Sequence, residues 1–289
     1  MLGKLARMLR PVMEKFPKYA TAYRYSRDIF SIYKDSVDTP MGFKFSGNES
    51  MQKGLFEPEE TRLVNRILDH VDEFVNVGAN TGYYCCFALK NGKHVTAIEP
   101  MWANLQFLYK NILANGWENR IEVFPVALSD RKGGIVRIYG GGTGASLLKG
   151  WAGVSDKYFT PVPCTTLDRV IGTGLSGRRC FFLVDIEGAE AMMLDGASET
   201  LKMDPKPIWM VEISITEHQP CGIAINPNLL STFQTFMNNG YEARTADKNF
   251  RPVSIIEIEQ IIQSGIDTIG THNFIFHEKG KHDYLYRQP

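Results

Sequence analysis

The chain has no apolar run long enough to span a bilayer. Its most apolar stretches, such as Cys180–Val184, fall far short of the ~20 residues a membrane helix needs. It has no charge excess either: 32 Lys plus Arg stand against 32 Asp plus Glu, so no global field draws it to nucleic acid. It has no Cys-x-x-Cys pair. Its five cysteines, at 85, 86, 164, 180 and 221, are odd in number and unpatterned, which argues against a disulfide framework or a zinc site. A reducing, cytoplasmic setting is the expectation. Charges interrupt the N-terminus, leaving no continuous apolar core for a secretory signal. Internal repeats and low-complexity segments are also missing. What is present is 289 residues, 44% of them hydrophobic, enough for one large domain with a small appendage.

The appendage is expected at residues 1–58, as a helical extension preceding a domain at 59–289. Leu2, Leu5, Leu9, Val12, Met13 and Phe16 recur at helical spacing. Seven basic residues against two acidic ones give residues 1–30 a formal +5. Such a helix suits peripheral contact with an anionic membrane. Docking on its own domain, or on a second copy in a homo-oligomer, is the plainer role.

From residue 60 onward, strand and helix patterns alternate. Glu60–Val71 reads as a helix, "EFVNVG" as a strand, "YYCCFALK" as a helix and "HVTAIEP" as a strand. "WANLQFLYKNILANG" is a helix stopped at Asn115-Gly116, and "RIEVFPVAL" a third strand. "GIVRIYGGGTGASL" reads as an inserted strand leading into a glycine-rich flap, Gly140–Gly144. "CFFLV", "PIWMVEI", "YEARTA" and "HNFIFHE" supply further strands, with helices between them. The pattern predicts an α/β fold with a doubly wound, mostly parallel sheet.

In such a sheet a ligand sits beyond the C-terminal strand ends, where "NVGANTG" and Glu99 meet. A dinucleotide fingerprint starting at Gly78 needs glycine at 80 and 83, where the chain has Asn80 and Tyr83. This disfavours a nicotinamide-dependent oxidoreductase. No G-K-[ST] follows for a phosphate-binding loop. S-adenosylmethionine fits: Glu99 can accept both ribose hydroxyls, and the loop amides can face the methionyl carboxylate.

The ordered series "NVGANTG", "AIEP", "NILAN", "VALSD", "GTGASL", "TTLD", "DIEGAE" and "VEI" resembles the FkbM family of S-adenosylmethionine-dependent methyltransferases. The resemblance spans roughly residues 55–215. It implies a Rossmann-like class I methyltransferase sheet and O-methylation of a sugar, glycan or related metabolite. By the same resemblance Asn76, Gly78, Asn80 and Gly82 serve the methionine portion, Glu99 and Pro100 the ribose, and Ala127 the adenine. Asp185 would face the reaction centre. Two positions depart from the family pattern: Asn76 stands in place of an aspartate, and Leu183 in place of a lysine. A non-catalytic cofactor-binding module is therefore the alternative.

A hydroxyl is a poor nucleophile at neutral pH and needs a base or a metal. Asp185, Glu212 and His218 are the catalytic candidates, with Glu187 and Glu190 beside them. Glu187 can cap loop amides and Glu190 can complement the helix dipole. Asp185, Glu187 and Glu212 also form a donor set suited to a divalent ion, though no ligand spacing demands one. The acceptor is expected to be a small molecule or glycan, not a nucleic acid.

Overall fold

The computed structural model describes residues 34–281 and Leu285; the basic stretch at 1–30 lies outside them. Two short paired strands come first, β1 (Val37–Asp38) and β2 (Lys44–Phe45), then a helical turn, α1 (Glu49–Gln52). The alternation follows as α2 (Pro58–Leu68), β3 (Glu73–Val77), α3 (Tyr83–Lys90), β4 (His94–Ile98), α4 (Trp102–Asn115) and β5 (Ile121–Phe124). A lateral portion contains β6 (Ala127–Leu128), β7 (Ile135–Tyr139) and β8 (Phe159–Thr165). Next come α5 (Leu167–Ile171), β9 (Cys180–Val184), α6 (Glu190–Leu194), β10 (Ile208–Glu212) and α7 (Leu229–Asn238). The described chain closes with β11 (Tyr241–Thr245), β12 (Pro252–Val253), α8 (Ile255–Ser264) and β13 (Asn273–Glu278).

The main sheet runs β12-β11-β13-β10-β9-β3-β4-β5. β5, β4, β3, β9 and β10 are mutually parallel, and β13 enters antiparallel between β10 and β11. β3 and β9 are buried along their whole lengths, as expected of parallel strands covered on both faces. Phe74, Phe181 and Met210 pack on one face with residues of α2, α3 and α4. Val75, Phe182 and Trp209 pack on the other, where Phe233 and Phe236 of α7 and Ile258 of α8 join them. The chain winds outward from β3 to β5 and restarts at β9 on the other side of β3. That switch point opens a crevice at the strand ends.

The helices start and stop for local reasons. α2 opens with Pro58 at its first turn beside Glu59 and Glu60, where missing amide hydrogens and negative charge are tolerated. α4 ends at Gly116, at φ 67°. Ser254 caps α8 by accepting from the Glu257 amide at 3.2 Å.

Two expectations change in detail. The single strand read across "RIEVFPVAL" is two, β5 in the main sheet and β6 in a three-stranded lateral sheet ordered β6-β8-β7. Pro125 lies between them and has no amide to give a ladder, so pairing breaks there. The expected division at residue 58 falls inside a packed region. Residues 34–57 contain two short strands and a helical turn, and buried Phe43 and Phe45 join the same core as α2 and α3.

Candidate active site

The loop after β3 is held from both sides. The amides of Gly78 and Ala79 both donate to the Ile98 carbonyl, at 2.9 and 3.0 Å. The Asp185 amide donates to Val77 O at 3.0 Å, drawing the end of β9 over the loop. A Cβ on Gly78, whose φ is +84°, would stand 1.8 Å from the Asp185 carbonyl oxygen. Only glycine fits that approach. Gly82 is equally constrained from the far side, because its Cβ would meet Leu108 Cδ1 of α4 at 2.4 Å.

Glu99 is the electrostatic centre of the loop. Its Oε2 accepts from the Asn80 amide at 2.8 Å, and its Oε1 from the Met101 amide at 2.7 Å and Asn104 Nδ2 at 3.2 Å. Asn80 itself is left-handed at φ 50°, and its Oδ1 accepts from the Thr81 amide at 2.8 Å. Glu99 is 4% exposed. Burial pushes its carboxyl up to about 7, against the pull of the Met101, Asn80 and Asn104 donors.

These residues border a cavity open to solvent. Gly78, Asn80, Glu99, Pro100, Ala127 and Asp185 line it together. Val126, Ala127 and Leu128 form an apolar wall, and Gly142, Thr143, Ala145 and Leu147 of the glycine-rich segment form another side. The flap thus borders the cavity of the cofactor residues. A polar glycine loop, an acid at the end of β4 and an apolar wall beyond it match the methionyl, ribose and adenine parts of S-adenosylmethionine. Asn76 and Gly82 do not line this cavity. Asn76 is buried behind it and donates Nδ2 to Cys85 Sγ at 3.5 Å, while its Oδ1 has no partner among the described residues.

A second, smaller recess adjoins at Asp185. Glu57, Tyr84, Asp185, Glu212 and Asn273 line it, over Leu183, Val184 and Met210. Asp185 borders both cavities. Burial, then the Glu212 and Glu187 charges, hold the Asp185 carboxyl well above the usual range. Burial, then the Glu187 charge, pushes Glu212 up to about 8. His218 lines neither cavity. Its ring lies 6.0 Å from that of Trp151, and its carbonyl accepts from the Ala152 amide at 2.7 Å.

Glu190 stands in the first turn of α6, where its charge was expected, whereas Glu187 takes a different partner. Glu190 Oε1 caps the Gly188 amide at 3.0 Å, and burial pushes its carboxyl up to about 8. Glu187 Oε2 accepts from Trp151 Nε1 at 2.8 Å, and its carbonyl from Ser146 Oγ at 2.6 Å. These bonds fasten the flap segment to the end of β9. Trp151, 1% exposed, is structural support. Among the described residues no three His, Cys, Asp or Glu side chains are placed to hold a metal ion. The residues of the recess that sequence reading missed are Glu57, Tyr84 and Asn273. They come from three separated elements and share no motif.

A mostly parallel sheet in which β13 and the edge strand β12 run antiparallel, with a cavity at its switch point bordered by the glycine loop, Glu99 and an apolar wall, defines a class I S-adenosylmethionine-dependent methyltransferase. The chain matches the methyltransferase FkbM domain over residues 76–263, and it belongs to that family. Among curated proteins no match was found. Solved structures resembling it include an O-methyltransferase family protein from Burkholderia thailandensis, at 10% identity and TM-score 0.39. That match covers 80% of this chain and 58% of the other. A precorrin-6y C5,15-methyltransferase from Geobacter metallireducens matches at 10% identity and TM-score 0.39, over 80% of this chain and 91% of the other. Among the described residues no helix is long and apolar enough to cross a membrane.

Proposed function

We propose that the chain is an O-methyltransferase acting on a hydroxyl of a sugar, glycan or related metabolite. The observation that carries this reading is Asp185, a carboxyl forming the shared wall between the cofactor-shaped cavity and the acid-lined recess. An acceptor in the recess lies against the reactive end of the cofactor, and carboxylates are strong acceptors for hydroxyl donors.

When bound, S-adenosylmethionine supplies an electrophilic methyl group on a sulfonium. Asp185 orients the acceptor from the wall that the two cavities share and leaves the hydroxyl hydrogen to Glu212. Glu212, pushed up to about 8, is matched to neutral pH as the base. Transfer of that methyl to the hydroxyl oxygen would leave the hydroxyl proton on the Glu212 carboxylate. His218 acts as a positioning residue, packed on the Trp151 that holds Glu187. A cytoplasmic location accords with the free cysteines at 85, 86, 164, 180 and 221.

The test is transfer of isotopically labelled methyl from the cofactor to a panel of mono- and oligosaccharides, with Asp185→Asn alongside. A methyl ether in the product, lost in the variant, supports the reading. Cofactor binding without transfer to any hydroxyl would return the chain to the class of non-catalytic binding modules.

A further inference from the structure

We infer that Asn104 is a positioning residue that changes partner when the cofactor binds, yielding its place on Glu99 to the ribose and drawing the flap inward at Gly142. This rests on the cavity taking S-adenosylmethionine. An ionised carboxylate offers roughly four acceptor sites. On Glu99 three are already filled: one on Oε2 by the Asn80 amide, and two on Oε1 by the Met101 amide and Asn104 Nδ2. One site is left for a ribose that brings two neighbouring hydroxyls. A donor must give way for both to be held. The Asn80 and Met101 amides are backbone groups at 2.8 and 2.7 Å, fixed by the glycine loop and by the start of α4. Asn104 donates from a side chain at 3.2 Å, the longest of the three bonds.

The second partner is in place. The same Nδ2 stands 3.5 Å from the Gly142 carbonyl oxygen, beyond the ~2.9–3.0 Å usual for such a bond, so the contact has room to tighten. Asn104 lines the cavity and is 7% exposed, so a donor released from Glu99 needs another acceptor. The flap is built to answer. Its base is pinned where the Tyr139 and Ser146 amides each donate to the other's carbonyl, at 2.7 and 3.0 Å, and where Ser146 Oγ donates to the Glu187 carbonyl. Its tip is open, since a Cβ at Gly142 or Gly144 would meet nothing within 4 Å. Tightening at Gly142 brings that tip over the cavity that Thr143, Ala145 and Leu147 also line.

The probes are S-adenosylhomocysteine and its analogues lacking the 2′ or the 3′ hydroxyl, each added to saturation on the full chain. Amide hydrogen exchange is read across residues 140–147. A single hydroxyl fills the open site and leaves Asn104 on Glu99. S-adenosylhomocysteine should therefore slow exchange at the flap about five-fold more than either analogue, the worth of one hydrogen bond. Asn104→Leu should still bind S-adenosylhomocysteine but slow the flap equally with all three ligands. A residue that merely packs would weaken all three alike and leave the difference between them standing. The wild-type comparison tests the proposal even if the variant fails to fold. Equal slowing by the three ligands in the wild type, or a difference that survives in Asn104→Leu, overturns the exchange of partners and leaves the methyltransferase reading intact. Binding of none of the three refutes the cofactor cavity itself, and the proposal falls with it.

Discussion

Replacing Glu99 separates its two tasks, holding the loop and holding the cofactor's ribose. The buried carboxyl keeps its proton up to about 7, against an ordinary 4.5. Between those values the folded protein binds more protons than the unfolded one. This residue's contribution to stability therefore falls as pH rises through that window, by about 3 kcal/mol in all. Cofactor binding runs the other way, since ribose hydroxyls donate best to the ionised form. At pH 6 about one carboxyl in eleven is ionised and at pH 8 about ten in eleven, so affinity should climb about ten-fold across that range. Glu99→Gln should flatten the climb. Glu99→Ala should weaken binding by about 1.5–3 kcal/mol, the worth of hydrogen bonds to a charged group. It also strands the Asn80 and Met101 amides now bound to the carboxylate, costing about 1–3 kcal/mol of stability for each donor left dry. Calorimetric titration with S-adenosylhomocysteine at pH 6, 7 and 8, beside melting curves, reads both effects. An identical pH slope in wild type and Glu99→Gln, or unchanged affinity in a folded Glu99→Ala, would refute the reasoning.

Asp185→Asn and Glu212→Gln should each lower turnover by about 10²–10⁴-fold in single-turnover assays with a responsive acceptor. The base must lose its proton to act, so kcat/KM should rise with pH until about 8. Glu187→Gln removes the charge that most raises Glu212 after burial, and should move that rise to lower pH. Gly78→Ala places a methyl 1.8 Å from the Asp185 carbonyl oxygen and should cost about 4 kcal/mol or more in denaturant unfolding. Gly116→Ala, where a Cβ meets nothing within 4 Å, should cost only about 1–2 kcal/mol. Deleting residues 1–30 should abolish association with anionic vesicles in flotation assays and leave cofactor affinity intact; vesicle binding that survives the deletion removes the membrane role.

The parts of the molecule legible in the sequence are those whose causes are local. α3 runs over Tyr83–Lys90 just where "YYCCFALK" sits, and α4 stops at the glycine that ends its pattern. The pairing of the glycine loop with Glu99 was visible because both lie at ends of adjacent strands. β8 was not visible. Pro161 and Pro163 argue against a strand, yet they are tolerated because the Val162 and Cys164 side of the backbone faces β7 while the prolines face away. Asn76 was assigned to the cofactor by the family resemblance. Strand alternation instead turns its side chain toward Cys85, under α3. The recess was hidden for a different reason: Glu57, Tyr84, Glu212 and Asn273 converge only through the sheet order, which joins β13 to β10 across sixty residues of intervening chain.

The break at Pro125 has a kinetic consequence. It sends β6 out of the main sheet, so the apolar wall at Val126–Leu128 and the flap at Gly142–Leu147 belong to one lateral unit joined through β8. Ser146 and Trp151 tie that unit to Glu187, two residues from Asp185. Moving that unit to admit or release a cofactor would loosen the contacts that fasten the end of β9. Two hydrogen bonds, from Ser146 and Trp151, would thus couple exchange of the cofactor to the alignment of the acceptor.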